Sequence, residues 1–96
     1  MGLSIQIFDD QTVEGASEEF ILNGQMHIVF KGTFDGASIQ LQQFTGHSND
    51  SGFSTTGDAP LTAEQEVVFL YGTGFRYRFY LSDEGASTSI SAFRTI

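Results

Sequence analysis

Gln25-Met26-His27-Ile28-Val29-Phe30-Lys31-Gly32-Thr33-Phe34-Asp35-Gly36-Ala37-Ser38-Ile39-Gln40-Leu41-Gln42 is the stretch that decides the fold class. Met26, Ile28, Phe30, Gly32 and Phe34 recur at every second position, as do Ile39 and Leu41. Alternation of that period puts one apolar face on an extended chain, because successive side chains of a strand point to opposite sides. Asp35-Gly36 stands between the two runs, and a type I′ turn needs positive φ at both central residues, which Asp-Gly tolerates well. The expected arrangement is a hairpin with Phe34 opposite Ala37, Gly32 opposite Ile39, Phe30 opposite Leu41 and Ile28 opposite Gln43, so that the apolar faces of both arms coincide. The other face then pairs Thr33 with Ser38, Lys31 with Gln40 and Val29 with Gln42.

The same pattern continues outward from that stretch. Val67, Phe69 and Tyr71 lead into Gly72-Thr73-Gly74 and then Phe75, Tyr77, Phe79 and Leu81. A second hairpin is expected, with Tyr71 opposite Phe75, Phe69 opposite Tyr77 and Val67 opposite Phe79. Asp83-Glu84-Gly85 supplies a third turn, before a last strand over residues 87–95 whose inward set is either Ile90 with Ala92 or Phe93. Toward the N-terminus, Leu3, Ile5 and Ile7 alternate with Ser4 and Gln6 up to Asp9-Asp10. Residues 11–17 read as a loop, and Phe20 with Leu22 as a short strand before Asn23-Gly24. Residues 45–60 form the longest irregular stretch, where Phe53 is an anchor or a short strand. Strands near ten residues apart with no helical period between them predict an all-β chain, an antiparallel β-sandwich or jelly-roll-like fold of seven or eight strands. Its core is expected to hold Ile28, Phe30, Ile39, Leu41, Val67, Phe69, Phe75, Tyr77, Phe79 and Leu81.

Length fits one domain, 1–96, with one core. Twelve acids against four Lys and Arg give a formal charge of −8, which disfavours a nucleic-acid partner bound through its phosphates. The absence of cysteine excludes disulfides, thiolate metal sites and thiol catalysis. Ten Phe are the supply of core volume, and a domain this small gains from self-association. No stretch approaches 18 apolar residues and the first residues carry no basic and apolar leader, so a soluble chain off the membrane is expected. His27 and His47 stand in no spacing that favours a catalytic pair, and the acid pairs Asp9-Asp10, Glu18-Glu19 and Asp83-Glu84 fall at turns or strand ends. No catalytic residue, cofactor or metal site is expected. Lys31, Arg76 and Arg78 all lie on faces opposite the apolar set. They read either as a docking patch for an acidic partner or as cross-strand charge pairs, Arg78 with Glu66 and, diagonally, Glu64. Tyr80 and Phe44 are the outward aromatics.

The run Ile28 to Gln42 resembles a pattern common in small structural proteins of tailed bacteriophages. There, a strand ending in Gly-Thr-aromatic meets a Gly turn and then an alternating strand that closes on Leu-Gln. Gly74-Phe75-Arg76-Tyr77-Arg78-Phe79-Tyr80-Leu81-Ser82, followed by Gly85-Ala86-Ser87-Thr88-Ser89-Ile90-Ser91, looks like the matching final hairpin. The sequence departs from the pattern at Gln43-Phe44, where such proteins often carry a Trp. The resemblance implies a non-enzymatic virion component made in the host cytoplasm and displayed in many copies. A capsid decoration (cement) protein bound to the major capsid protein is favoured over a tail or fibre part, because no long repeat or coiled-coil heptad is present. The alternatives are a tail or fibre-associated adhesin or carbohydrate-binding module, and an intracellular regulator that binds its partner through a sheet edge. A homotrimer is the expected assembly. Leu3, Ile5, Ile7, Lys31, Arg76 and Arg78 are the interaction candidates, with residues 1–24 read either as an N-terminal arm or exchanged strand that adds to a neighbour's sheet, or as the first strand of the chain's own sandwich.

Overall fold

The computed structural model describes residues 4–21, 25–45, 52–56, 59–70 and 76–95. Leu3, Leu22, Asn23-Gly24, His47, the Gly72 to Gly74 turn and Phe75 lie outside them, as do the side chains of Ile5 and Phe69. The described chain is all-β, with nine strands: β1 Ser4–Gln11, β2 Gly15–Ala16, β3 Phe20–Ile21, β4 Gln25–Thr33, β5 Ser38–Phe44, β6 Phe53–Thr55, β7 Gln65–Leu70, β8 Arg76–Ser82 and β9 Ser89–Thr95. They form two antiparallel sheets. Sheet I runs β1-β9-β4-β7, and sheet II runs β2-β8-β5-β6, with β3 also on β8.

Because β2 and β3 both lie along β8, they act as one interrupted strand. The pairing then nests: first with last (β1·β9), second with second-last (β2/β3·β8), β4 with β7, and β5 with β6. That is one long hairpin, doubled between β5 and β6 and rolled so that its successive strand pairs alternate between two sheets, which is jelly-roll topology. The seven or eight strands expected become eight when the interrupted strand is counted once.

The expected hairpins are the point of correction. β4 pairs with β9 and β7, while β5 pairs with β8 and β6, so Asp35-Gly36 carries the chain from sheet I to sheet II. Phe30 lies opposite Ala92 and Gln65, and Leu41 opposite Phe79. Likewise β7 and β8 fall in different sheets, so Val67 does not pair with Phe79, and the Asp83 to Gly85 segment also crosses between sheets. The turn chemistry itself holds: Asp35 and Gly36 have φ of 47° and 86°, and the Ala37 N–H donates to Phe34 O at 2.9 Å. Matched apolar faces are produced equally by two strands side by side and by two strands facing each other across a core. Parity therefore fixed which residues go inward and left the pairing open.

Inward parity holds for the described apolar side chains of β4, β5 and β8, whereas in β1 a register shift between Gln6 and Phe8 buries Phe8 and leaves Ile7 only partly buried. Met26, Ile28 and Phe30 of β4, Ile39 and Leu41 of β5, and Tyr77, Phe79 and Leu81 of β8 are buried, with Val67 packed against them in part. Phe30 meets Phe79 edge-on across the two sheets, centroids 5.3 Å apart. In β9 the inward set is Ile90 with Ala92, and Phe93 points out at 37% exposure. Phe8 is buried and Ile7 packs on the core, so β1 lies along β9 of its own chain as the edge of sheet I. Residues 11–17, expected as a loop, contain the end of β1 and all of β2.

The two crossovers at one end of the roll clasp each other. Buried Thr88 donates from Oγ1 to Phe34 O at 2.7 Å and accepts the Gly85 N–H at 2.9 Å. Asp35 Oδ2 accepts the Ser87 N–H at 2.8 Å. These bonds satisfy backbone groups that the crossovers would otherwise leave unpaired.

Candidate interaction surface

Outward parity on β5 and β8 places Gln40, Gln42 and Phe44 beside Arg76, Arg78 and Tyr80 on the outer face of sheet II. Phe53 joins them because it stands opposite Phe44 in the β5·β6 register, and the two rings meet edge-on at 5.4 Å. Phe53 is buried although it lies outside the core cluster, so this outer face has an apolar centre of its own.

The two arginines lie over those rings. The Arg76 guanidinium sits 3.9 Å from the Phe44 centroid, and that of Arg78 lies 4.3 Å from Phe53 and 5.7 Å from Tyr80. Contacts of this kind contribute about 0.5–1 kcal/mol each at exposed sites. Polar groups then fix the cations: Arg76 Nη1 is 3.1 Å from Glu19 Oε1, and Arg78 Nε donates to Gln42 Oε1 at 2.7 Å. At the far end of the face the Tyr80 hydroxyl donates to Glu14 Oε2, and the Glu14 N–H donates to Glu84 Oε2. The hydrogen bond to Glu14 is the main cause holding the Tyr80 phenol above its ordinary pKa. Desolvation and the carboxylates of Glu14 and Glu84 add to it, while Arg78 opposes. The result is a ladder of cations and aromatics across three strands, β8, β5 and β6, tied to the β1–β2 connection by Glu14 and to the β2–β3 connection by Glu19.

This geometry divides the six interaction candidates. Arg76 and Arg78 stand on the outer face of sheet II, whereas Lys31 follows the outward parity of β4 on sheet I, on the opposite side of the sandwich. The three bases do not form one patch. Arg78 is also not beside Glu66 or Glu64, since β7 belongs to sheet I. Glu66 instead meets His27 Nε2 at 2.9 Å, and Glu64 accepts the Gly32 N–H at 2.7 Å. Ile7 turns toward the core, and Ile5 contributes its backbone to the pairing with Arg94.

Of the outward aromatics, Phe44 already has Arg76 over its ring and Gly52 against the ring edge, where a Cβ would come within 2.7 Å of Cε1. Glu19 was weighed from sequence only as half of the acid pair Glu18-Glu19, and neither it nor Glu14 was assigned a partner on β8. The outward Arg-x-Arg-x-Tyr of β8 could have prompted a search for acids, but their positions 57 to 66 residues upstream become neighbours only through the roll. Among the described residues no three of His, Asp and Glu converge as metal ligands, and no helix is long and apolar enough to cross a membrane. Comparison with protein-family models, with curated proteins and with solved structures gives no match.

Proposed function

We propose that this chain is a non-enzymatic structural component of a tailed-bacteriophage virion, a decoration protein seated in many copies on the shell of the major capsid protein. The observation that carries the reading is where the two phage-like stretches fall in the fold. Residues 28–42 supply most of β4 and β5, and residues 74–91 supply β8 and the start of β9. Although far apart in sequence, they are the inner strands of both sheets, β9-β4 and β8-β5, joined by the clasp between Phe34, Asp35, Ser87 and Thr88. The resemblance is thus concentrated in one contiguous scaffold. Jelly rolls recur in viral capsid and lectin domains, a fold-level analogy that agrees with the reading.

Docking falls to the outer face of sheet II. Its arginines and Tyr80 are held by partners within the chain, so binding there immobilises few side chains, which lowers the entropic cost of association. The acidic remainder of the surface faces solvent. The test is cosedimentation of the purified chain with shells assembled from the major capsid protein alone. Saturable binding at a fixed ratio to the capsid protein is expected, and no binding at excess chain overturns the reading.

A further inference from the structure

Jelly-roll sheets are open, and each of the four edges here must manage unpaired backbone groups. Three are unsuited to regular pairing. β1 carries two register shifts and a left-handed Asp10 at φ 46°; β6 is three residues long, and β2 and β3 are two residues each. β7 differs: it pairs with β4 residue for residue from Gln65 to Leu70 without a shift, and among the described residues no strand lies on its other side. Its sequence, Val67-Val68-Phe69-Leu70, is apolar at successive positions, the pattern of a strand covered on both faces. Yet Val68 is 49% exposed.

We propose that a second copy of the chain pairs this open edge: β7 lies antiparallel to β7 of that copy across a two-fold axis at Val68, so that the two Val68 side chains shield each other as cross-strand neighbours and two four-stranded sheets join into one of eight. The charges on this edge select the arrangement. An axis at Val68 puts Val68 opposite Val68 and Glu66 opposite residue 70, which leaves the two Glu66 positions about 14 Å apart along the strands, beyond a Debye length of about 8 Å. Moving the axis toward Glu66 sets like charges opposite each other, which is destabilising. A ring of three through the same sheet would pair β7 with β1 of the next copy, where the bulges interrupt the ladder. The two-fold therefore takes the place of the homotrimer expected from sequence, and because the edge is self-complementary the assembly closes at two copies.

The purified full chain tests this without any particle, so this inference and the virion reading can fail separately. Sedimentation equilibrium should give twice the 10.5 kDa chain mass, and Val68→Lys should weaken self-association at least about tenfold. The chain has no cysteine, so Val68→Cys introduces a single thiol on the axis, and mild oxidation should give a covalent dimer. Val13→Cys, more exposed still on the β1–β2 connection, should form no covalent dimer under the same oxidation. A monomeric or trimeric wild type, a Val68→Lys variant that associates as tightly as wild type, or equal cross-linking of the two cysteine variants overturns the proposal.

Discussion

Gly32 adopts φ 118°, and a Cβ built there would lie 2.1 Å from the Ser89 carbonyl oxygen of the neighbouring strand β9. Neither backbone can yield without breaking the ladder between them. Gly36, at φ 86°, has nothing nearer than 3.8 Å to the same added atom. Gly32→Ala is accordingly expected to lose more than about 3 kcal/mol, and Gly36→Ala about 1–2 kcal/mol from left-handed strain alone. Urea unfolding of the two variants checks this, and equal losses would contradict the close approach. Tyr80 gives a second expectation. Its neutral phenol donates to Glu14, and its folded pKa lies above the ordinary value of 10.0. The stability this bond contributes is therefore fully present below the unfolded pKa and lost as pH rises through the folded one. In Glu14→Gln the phenol should ionise at lower pH than in wild type, followed by phenolate absorbance; an unchanged titration would remove Glu14 as the cause.

Strand pairing, as distinct from strand parity, is what the roll adds at the level of elements. Parity was legible because it belongs to each strand alone: Ile28, Phe30, Ile39, Leu41, Tyr77, Phe79 and Leu81 are buried as alternation requires. Pairing was not, because Asp-Gly turn chemistry and matched apolar faces suit a crossover between sheets as well as a hairpin within one. The outer face suffered the same loss, since Arg78 could be assigned Gln42, Phe53 and Tyr80 as neighbours only after β8 was known to lie beside β5. The rolled topology makes Lys31 and Ser91 direct partners, whereas the hairpin would pair Lys31 with Gln40. Lys31→Cys with Ser91→Cys should form an intramolecular disulfide, and Lys31→Cys with Gln40→Cys should not, because those side chains lie on opposite sides of the sandwich. The reverse result would restore the hairpin. Deleting residues 1–10 removes most of β1 and buried Phe8, whose truncation alone costs about 3–5 kcal/mol. Thermal unfolding of the fragment should collapse; a fragment that stays folded but loses its self-association would favour strand exchange instead.

Taken whole, the molecule measures 40 × 36 × 20 Å, its short axis set by two sheets about 10 Å apart with their outward side chains. Such a slab presents two broad faces of different character. Sheet II offers the Arg and aromatic ladder, while sheet I offers Lys31, the His27–Glu66 pair and the β7 edge. Two-fold pairing through β7 would extend sheet I and leave the sheet II face of each copy free to dock, so the proposed self-association and shell binding would use different surfaces. The direct measurement for the proposed virion role is quantitative mass spectrometry of purified tailed-phage particles, scored for peptides of this chain. A copy number of the same order as that of the major capsid protein is expected; a handful of copies per particle would move the chain to the tail, and its absence from the particle would contradict the virion reading.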